Sequence, residues 1–244
     1  MMKSLGASTK EAGWRSSHFL PPSGGGLFGA GSLDMSPGWF QQSHEVCWLS
    51  FVSVIIFTEC SQRLDHPLYV SSAIKSKEAR TFLQMTTSVD FLCNAITALT
   101  SPQLYDLGMS AIQEFREGRH HYKLHPNVNL WTSVWTGCSM IVNRITPFHR
   151  DGGGAPTDYD LLVSSGTHKG CVLDIPDIGL TVNYLPGTAV LLTGRILKHG
   201  VAEWEGGERI CQARFIKDAI HDRFGLPRPD WVMYDSYFKD MGLT

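Results

Sequence analysis

Residues 159–216 read YDLLVSSGTHKGCVLDIPDIGLTVNYLPGTAVLLTGRILKHGVAEWEGGERICQARFI. Short apolar segments alternate here with turn-forming residues such as Pro176-Asp177, Pro186-Gly187 and Gly206-Gly207. Many short strands at this spacing are typical of an antiparallel sandwich or barrel. Together with an apolar segment further upstream, the predicted strands cover residues 131–145, 159–165, 171–174, 180–184, 189–193, 197–202 and 209–216.

Upstream of these strands, residues 76–118 are predicted to be helical. Apolar residues recur there at three- and four-residue steps, which predicts one buried helix face. This face comprises Phe82, Met85, Val89, Leu92, Ile96 and Leu99. Ser101 and Pro102 predict the start of a second helix, and Gly118 predicts its end. The inner face of the second helix is predicted to hold Leu104, Leu107, Ala111 and Phe115.

These elements predict an α+β protein with a double-stranded β-helix (jelly roll) core that is preceded by packing helices. Residues 1–43 are rich in Gly, Ser and Pro and are expected to form a poorly ordered arm. Residues 44–125 are expected to form a mainly helical N-terminal support region, and residues 126–244 the jelly-roll domain.

Composition excludes some classes of protein and leaves others open. The 244 residues are 43% hydrophobic with a net charge of −2, which excludes a wholly disordered chain and gives no strongly basic surface. Residues 116–150 nevertheless carry five Lys/Arg and one acid, so a nucleic-acid partner stays open. The six cysteines form no CxxC pair, which favours reduced thiols over a zinc ribbon. The longest apolar stretch, 46–57, is too short to span a bilayer, so no membrane element is expected.

The residues that carry chemistry begin with Phe148-His149-Arg150-Asp151. On an extended segment, side chains two apart point to the same side, so His149 and Asp151 can bind one metal ion. A second His from a later strand would complete the two-His-one-carboxylate triad of non-haem Fe(II) oxygenases. His199 fits, because fifty residues leave room for several strands to return to the metal. His168 follows too soon, and His221 is expected to be a capping or surface residue.

The last predicted strand offers an arginine for an anionic cosubstrate. Alternation places Arg209, Cys211, Ala213 and Phe215 on one face, so the Arg209 guanidinium would reach into the barrel. A guanidinium binds a carboxylate in a bidentate pair. Arg214 lies on the opposite face by parity and stays a second candidate, since a bulge would exchange the two.

The combination of His-x-Asp, a later His-Gly and an Arg that opens the final strand resembles the Fe(II)/2-oxoglutarate-dependent dioxygenase superfamily. Within it, Phe148-His149-Arg150-Asp151 and Arg209-Ile210 resemble the TET/JBP group of DNA base oxygenases, in particular its compact fungal members. The resemblance covers roughly residues 130–216. The cysteine-rich zinc module and the long barrel insertion of the animal enzymes are absent from this sequence.

The resemblance implies Fe(II) bound by His149, Asp151 and His199, 2-oxoglutarate bound by Arg209, and O2 as oxidant. It implies oxidation of methyl groups on DNA bases, 5-methylcytosine or N6-methyladenine. A hydroxylase of a protein side chain or small metabolite is the alternative, and a non-enzymatic jelly-roll binding protein is the third reading. The sequence leaves the oligomeric state open.

A base in a duplex must be flipped out to reach such a centre. Candidate contacts to it are Asn143, Asp158 and Tyr159, each of which also has a structural reading. Residues 116–125 are candidates for phosphate contacts, or form a solvated connector. The resemblance alone implies a nuclear location. The lack of a signal-peptide pattern otherwise predicts an intracellular, non-secreted protein.

Overall fold

The structure, a computed structural model, describes residues 19–20, 27, 29–38, 67–121 and 123–243. The strands in this part of the chain are β1 Gly31–Met35, β2 Gly137–Val142, β3 Thr146–His149, β4 Asp160–Gly166, β5 Val172–Ile175, β6 Leu180–Asn183, β7 Ala189–Leu192, β8 His199–Val201 and β9 Arg209–Phe215. The α-helices are α1 Lys77–Thr100, α2 Pro102–Glu117, α3 Asp218–Phe224 and α4 Tyr234–Asp240. Short 3₁₀ turns cover Ser72–Lys75, Pro126–Leu130 and Pro176–Ile178.

The strands form two antiparallel sheets, as the jelly-roll prediction requires. The larger sheet has the order β1-β2-β9-β4-β7, and the smaller has the order β3-β8-β5-β6. An apolar cluster that includes Leu162, Leu173 and Val201 joins the two sheets. A second cluster fills the space between the other face of the larger sheet and helices α1 and α2. The fold is therefore α+β, with a jelly-roll core and packing helices.

Strand β9 lies at the centre of the larger sheet and carries the predicted alternation. It pairs with β2 on one side, where Ser139 is opposite Ala213, and with β4 on the other, where Leu162 is opposite Ala213. Arg209, Cys211, Ala213 and Phe215 all border the space between the sheets. The pairing of β9 with β2 and with β4 is continuous and contains no bulge, so the alternation predicted from the sequence holds along β9.

Helix α2 follows its prediction closely. Pro102 occupies the first turn, where its missing N–H costs nothing, and Gly118 caps the helix with a φ of 70°. The predicted inner face is buried, with Leu104 and Ala111 fully excluded from solvent.

Helix α1 buries a different face from the one predicted. Met85 is 78% exposed, Leu92 63% and Leu99 57%. The buried residues are instead Ala79, Leu83, Asp90, Cys93, Asn94 and Thr97. Polar members of this face are bonded to the domain: Asn94 Nδ2 donates to the Thr132 carbonyl, and Asp90 accepts from Thr132 Oγ1. The apolar periodicity was a wrong guide because specific hydrogen bonds, rather than apolar area, orient this helix.

Two strands were not predicted. β1 lies within the expected arm of residues 1–43, so the expectation of poor order is wrong for Gly31–Met35, which pairs with β2 along five positions. β3 was merged with β2 into one strand, but Asn143 has a φ of 54° and separates them. The apolar stretch 46–57 and the start of the expected support region lie outside the described residues.

Cys93, Cys138, Cys171 and Cys211 are free thiols and are buried. In the part of the chain that the structure describes, no helix combines the length and apolar character needed to cross a membrane.

Candidate metal centre and its cavity

His149, Asp151 and His199 converge at one end of the cavity between the sheets. His149 Nε2 lies 3.4 Å from Asp151 Oδ1, and His199 Nε2 lies 3.5 Å from Asp151 Oδ2. One ligand atom from each residue can be chosen so that all three lie within 4.8 Å of one another. Two imidazole nitrogens and a carboxylate oxygen at this separation can share one divalent ion and leave further positions open.

The convergence follows from strand pairing. His149 on β3 is directly opposite His199 on β8, so their rings are neighbours with centroids 4.4 Å apart. Asp151 follows β3 in a loop, and its backbone N–H donates to the Gly194 carbonyl at 2.9 Å. The turn before β8 therefore positions the carboxylate beside both rings.

Both imidazoles present the same nitrogen to the centre. His149 Nδ1 lies 3.0 Å from the Pro147 carbonyl, and His199 Nδ1 lies 3.0 Å from the Leu197 carbonyl. A carbonyl only accepts, so each Nδ1 carries the hydrogen and each Nε2 keeps a lone pair for a metal. Burial lowers the pKa of His199, which favours this neutral, metal-binding form.

A second carboxylate, Asp160, lies close to Asp151, and no sequence pattern indicated it. A Cβ at Gly194 would collide with Asp160 Oδ2 and would lie 2.8 Å from Asp151 Oδ2. Burial raises the pKa of Asp160 well above its usual range, and the Asp151 charge raises it further. Both effects favour the neutral form of Asp160 beside the Asp151 carboxylate.

The cavity has a volume of about 640 Å³ and is lined by both sheets. Arg209 lies at the far end of β9 from Phe215. The Arg209 residue is 2% exposed, and its guanidinium carbon lies 5.5 Å from the Tyr184 ring and 5.7 Å from the Trp204 ring. Nη1 donates to the Arg144 carbonyl at 2.9 Å, while Nε is buried without a hydrogen-bond partner. Among the described residues, no carboxylate forms an ion pair with Arg209, so this cation fits an anion from a bound molecule.

Arg214 also borders the cavity, but its guanidinium is already bound. Nη1 donates to Asp90 Oδ1 at 2.6 Å and to Ser133 Oγ at 3.1 Å, and Nη2 donates to Gln212 Oε1. Of the two arginines left open by the sequence, Arg214 already has a carboxylate partner, whereas Arg209 has none among the described residues.

The three predicted base contacts do not line this cavity. Asn143 supports the start of β9: its Oδ1 accepts from the Arg209 backbone N–H at 2.9 Å, and its Nδ2 donates to the Gly29 carbonyl. Tyr159 packs against the core between the larger sheet and the helices. The positions of Asn143 and Tyr159 therefore fit a structural role, which was one of the two alternatives that the sequence left open.

Asp158 is 3% exposed, and its Oδ2 lies 3.1 Å from His221 Nε2. The expectation that His221 lies at the surface is wrong, because this ring is fully buried between Asp158 and the Pro227 carbonyl. The pair joins the loop after β3 to helix α3.

Two arginines of the basic stretch 116–125 already have partners in the protein. Arg119 forms ion pairs with Glu114 and Glu117, and Arg116 donates to the Trp131 carbonyl. Arg116 and Arg119 therefore fit the alternative of a connector between helix and barrel better than that of phosphate-binding cations.

A polar group that sequence reasoning missed lies at the β9 end opposite Arg209. Asp34 accepts a hydrogen bond from Ser139 Oγ, and Lys217 follows Phe215 at a two-residue step. Burial lowers the pKa of Lys217 to about 8, an effect that Asp34 partly offsets. Continued alternation along β9 could have indicated Lys217, whereas Asp34 comes from the segment expected to be an arm.

A jelly roll with two histidines and one carboxylate on the lining of its cavity is the arrangement of the facial-triad, metal-dependent oxygenases. The Tet/JBP family model, described as the oxygenase domain of the 2OGFeDO superfamily, matches residues 58–218. The chain belongs to this family of Fe(II)/2-oxoglutarate oxygenase domains. The reading as a non-enzymatic binding protein is therefore wrong.

Solved structures give weaker similarities. One, described as NgTET1 in complex with 5mC DNA, is 17% identical, with 63% of this chain and 56% of that chain covered and a TM-score of 0.48. Another, a Cupin 2 conserved barrel domain protein from Salinispora arenicola, is 19% identical over 36% of this chain and 69% of that chain, with a TM-score of 0.27. A comparison with curated proteins finds no match. The chain spans little more than half of the NgTET1 chain.

Proposed function

We propose that this dioxygenase oxidises a methyl group on a DNA base, 5-methylcytosine or N6-methyladenine. The observation that carries the proposal is the cavity itself, which is lined by the His149–Asp151–His199 group, by the buried Arg209 at one end of β9 and by the half-buried Lys217 just beyond the other end. One cation, Arg209, suits an anionic cosubstrate. The other cation, Lys217, would donate a hydrogen bond to a second molecule, the substrate. Membership of the Tet/JBP family supports a nucleobase as that molecule.

His149, Asp151 and His199 would hold Fe(II) through two Nε2 atoms and one carboxylate. The residues fit the ion, because both Nδ1 hydrogens are bound to carbonyls and both lone pairs face Asp151. When bound, iron together with 2-oxoglutarate and O2 supplies the oxidant that attacks a substrate C–H bond.

Arg209 would bind the distal carboxylate of 2-oxoglutarate. Its charge is desolvated between two aromatic rings, and its buried Nε has no partner. A carboxylate placed there would satisfy a donor that otherwise costs free energy. Cys211 and Ala213, next on the same face, are small enough to leave room for the bound acid.

The opposite end of β9 would receive the base. Lys217 can donate to a ring carbonyl or ring nitrogen, and Asp34 can accept from an exocyclic amino group. A flipped cytosine or adenine presents both kinds of atom on one edge. The cavity volume falls in the range of sites that enclose whole small molecules, so base and cosubstrate can be accommodated together.

The test is a panel of duplexes that carry 5-methylcytosine, N6-methyladenine or thymine, incubated with Fe(II), 2-oxoglutarate and ascorbate and analysed by nucleoside mass spectrometry. We expect an oxidised nucleoside from one of the methylated bases, and none from His149→Ala or Asp151→Ala. Succinate formed without DNA is measured in parallel, because it reports the iron chemistry independently of the substrate. Succinate production without any oxidised nucleoside would contradict the DNA proposal and leave the dioxygenase intact.

A hydroxylase of a protein side chain or small metabolite is the alternative outcome of that test. The net charge of −2 and the paired Arg119 favour it, since they reduce the attraction for phosphate. Salt dependence of DNA binding would separate the two, because counterion release makes a true DNA contact weaken steeply with salt.

We also propose a nuclear location, which rests on the DNA substrate alone. Microscopy of the tagged full-length protein tests it, and exclusion from the nucleus would count against a genomic substrate.

A further inference from the structure

The two segments that deliver the metal-binding side chains are joined outside the cavity. Arg150, between His149 and Asp151, donates from Nε to the Ile196 carbonyl at 2.7 Å. Its Nη2 donates to Asp177 Oδ2, also at 2.7 Å. One guanidinium therefore binds the segment before β8 and a carboxylate that comes from a third element.

Asp177 continues the connection to His199. The same Oδ2 atom accepts from the backbone N–H of Lys198 at 2.7 Å. Asp177 lies in the 3₁₀ turn Pro176–Ile178 that follows β5, and β5 is the neighbour of β8 in the smaller sheet. One oxygen atom thus bridges the side chain next to His149 and the backbone next to His199.

The strand ladder alone holds these segments weakly. β3 is an edge strand, and its only neighbour in the described sheet is β8. Thr146 pairs with Val201 and His149 with His199, and the register shifts between these two pairs. An irregular edge ladder of this kind leaves the orientation of the loop after His149 underdetermined.

We infer that Arg150 and Asp177 are positioning residues that hold His149, Asp151 and His199 at metal-binding separation before a metal arrives. The inference rests on the three residues being the iron site, and it is independent of which substrate is oxidised. Both side chains act from outside the cavity, because they touch the segments that carry the ligands and none of the ligand atoms.

This role differs from that of an ordinary surface ion pair. The Arg150 side chain is 52% exposed and that of Asp177 31%, so their contribution to global stability is small. Loss of the pair should therefore leave the melting temperature nearly unchanged and lower the affinity for a metal, since residues that orient ligands change affinity markedly.

The experiment measures Mn(II) and Co(II) binding to the metal-free full chain by titration calorimetry, without 2-oxoglutarate or DNA. Arg150→Met and Asp177→Ala are each expected to weaken binding by about 10-fold, the lower end of what loss of ligand-orienting contacts costs. The double variant should lose about as much as the worse single variant, because both remove one shared connection. Arg150→Lys, which keeps the charge but loses the two-bond fork, should recover part of the affinity.

Arg119→Met is the matched control, because Arg119 is also an exposed arginine bound to acidic side chains but lies beyond the end of α2. It should leave metal affinity unchanged. Affinities of Arg150→Met and Asp177→Ala within twofold of the wild type would overturn the inference. A wild-type chain that binds neither metal would instead overturn the metal-site assignment itself, so the two failures are distinguishable.

Discussion

Replacement of Lys217 by Met should stabilise the fold at pH 7, although Lys217 lies at the proposed substrate end of the cavity. Burial lowers the pKa of this ammonium group from 10.5 to about 8. At 1.36 kcal/mol per pKa unit, this difference corresponds to roughly 3 kcal/mol as an upper bound on the cost of holding the charged form in the folded chain. Partial exposure to solvent reduces the figure.

The sign of the pH dependence follows from the direction of this change. Below pH 8 the lysine is charged in both the folded and the unfolded chain, so the whole cost is present. Between about pH 8 and 10.5 the folded chain releases the proton first, and the cost disappears as the pH rises. The stability advantage of Lys217→Met should therefore be largest at pH 7 and much smaller at pH 10.

Urea unfolding followed by circular dichroism at both pH values measures this difference, with Lys239→Met at the exposed end of α4 as the control. The same variant should lose base oxidation while it keeps DNA-independent succinate formation, since active sites often retain costly groups for function. An equal stability gain at pH 7 and pH 10, or no gain at pH 7, would refute the reasoning.

Three further outcomes follow from the geometry. Arg214→Met should destabilise the fold by about 3 to 5 kcal/mol in thermal or urea unfolding, because it leaves buried Asp90 without its partner; a loss below about 1 kcal/mol would contradict that contact. Arg209→Met should weaken 2-oxoglutarate binding at least tenfold in calorimetry, and an unchanged affinity would remove Arg209 from the cosubstrate site. Gly194→Ala should lower Mn(II) affinity, because the added methyl group meets the Asp151 carboxylate; wild-type affinity would show that the loop moves aside without cost.

Local sequence patterns were sufficient to predict most strands of the jelly roll. Apolar segments between Pro and Gly turns located the strands from β4 to β9, and period-two alternation placed Arg209 in the cavity. The Arg214 guanidinium binds Asp90 of α1 instead. These features depend on neighbours in the chain, which is why sequence reasoning reaches them. The same reasoning merged β2 with β3, because the left-handed backbone at Asn143 has no apolar signature.

The helix α1 face shows where periodicity misleads. Met85 and Leu92 have the spacing of a core stripe and yet face solvent, while Asp90 and Asn94 are buried. The difference arises because Asp90 has a partner in Arg214 of β9 and Asn94 one in the backbone near Val134. Such partners come from distant parts of the chain, and no local window contains them.

Some features of the candidate site were likewise predictable from the sequence, and others became visible only in the tertiary structure. The spacing of His149, Asp151 and His199 was enough to expect their convergence, because two residues on one segment and a third fifty positions later can return to one point. Tertiary structure alone decided that Asp160 sits beside Asp151, that Asp158 is buried with His221, and that Asp34 reaches the cavity from the N-terminal segment. The sequence by itself determined the residue types and the strand alternation, which are local properties of the chain. The burial, charge neighbours and partners of each side chain were set by the pairing of distant strands, because an electrostatic environment is a property of the packed molecule.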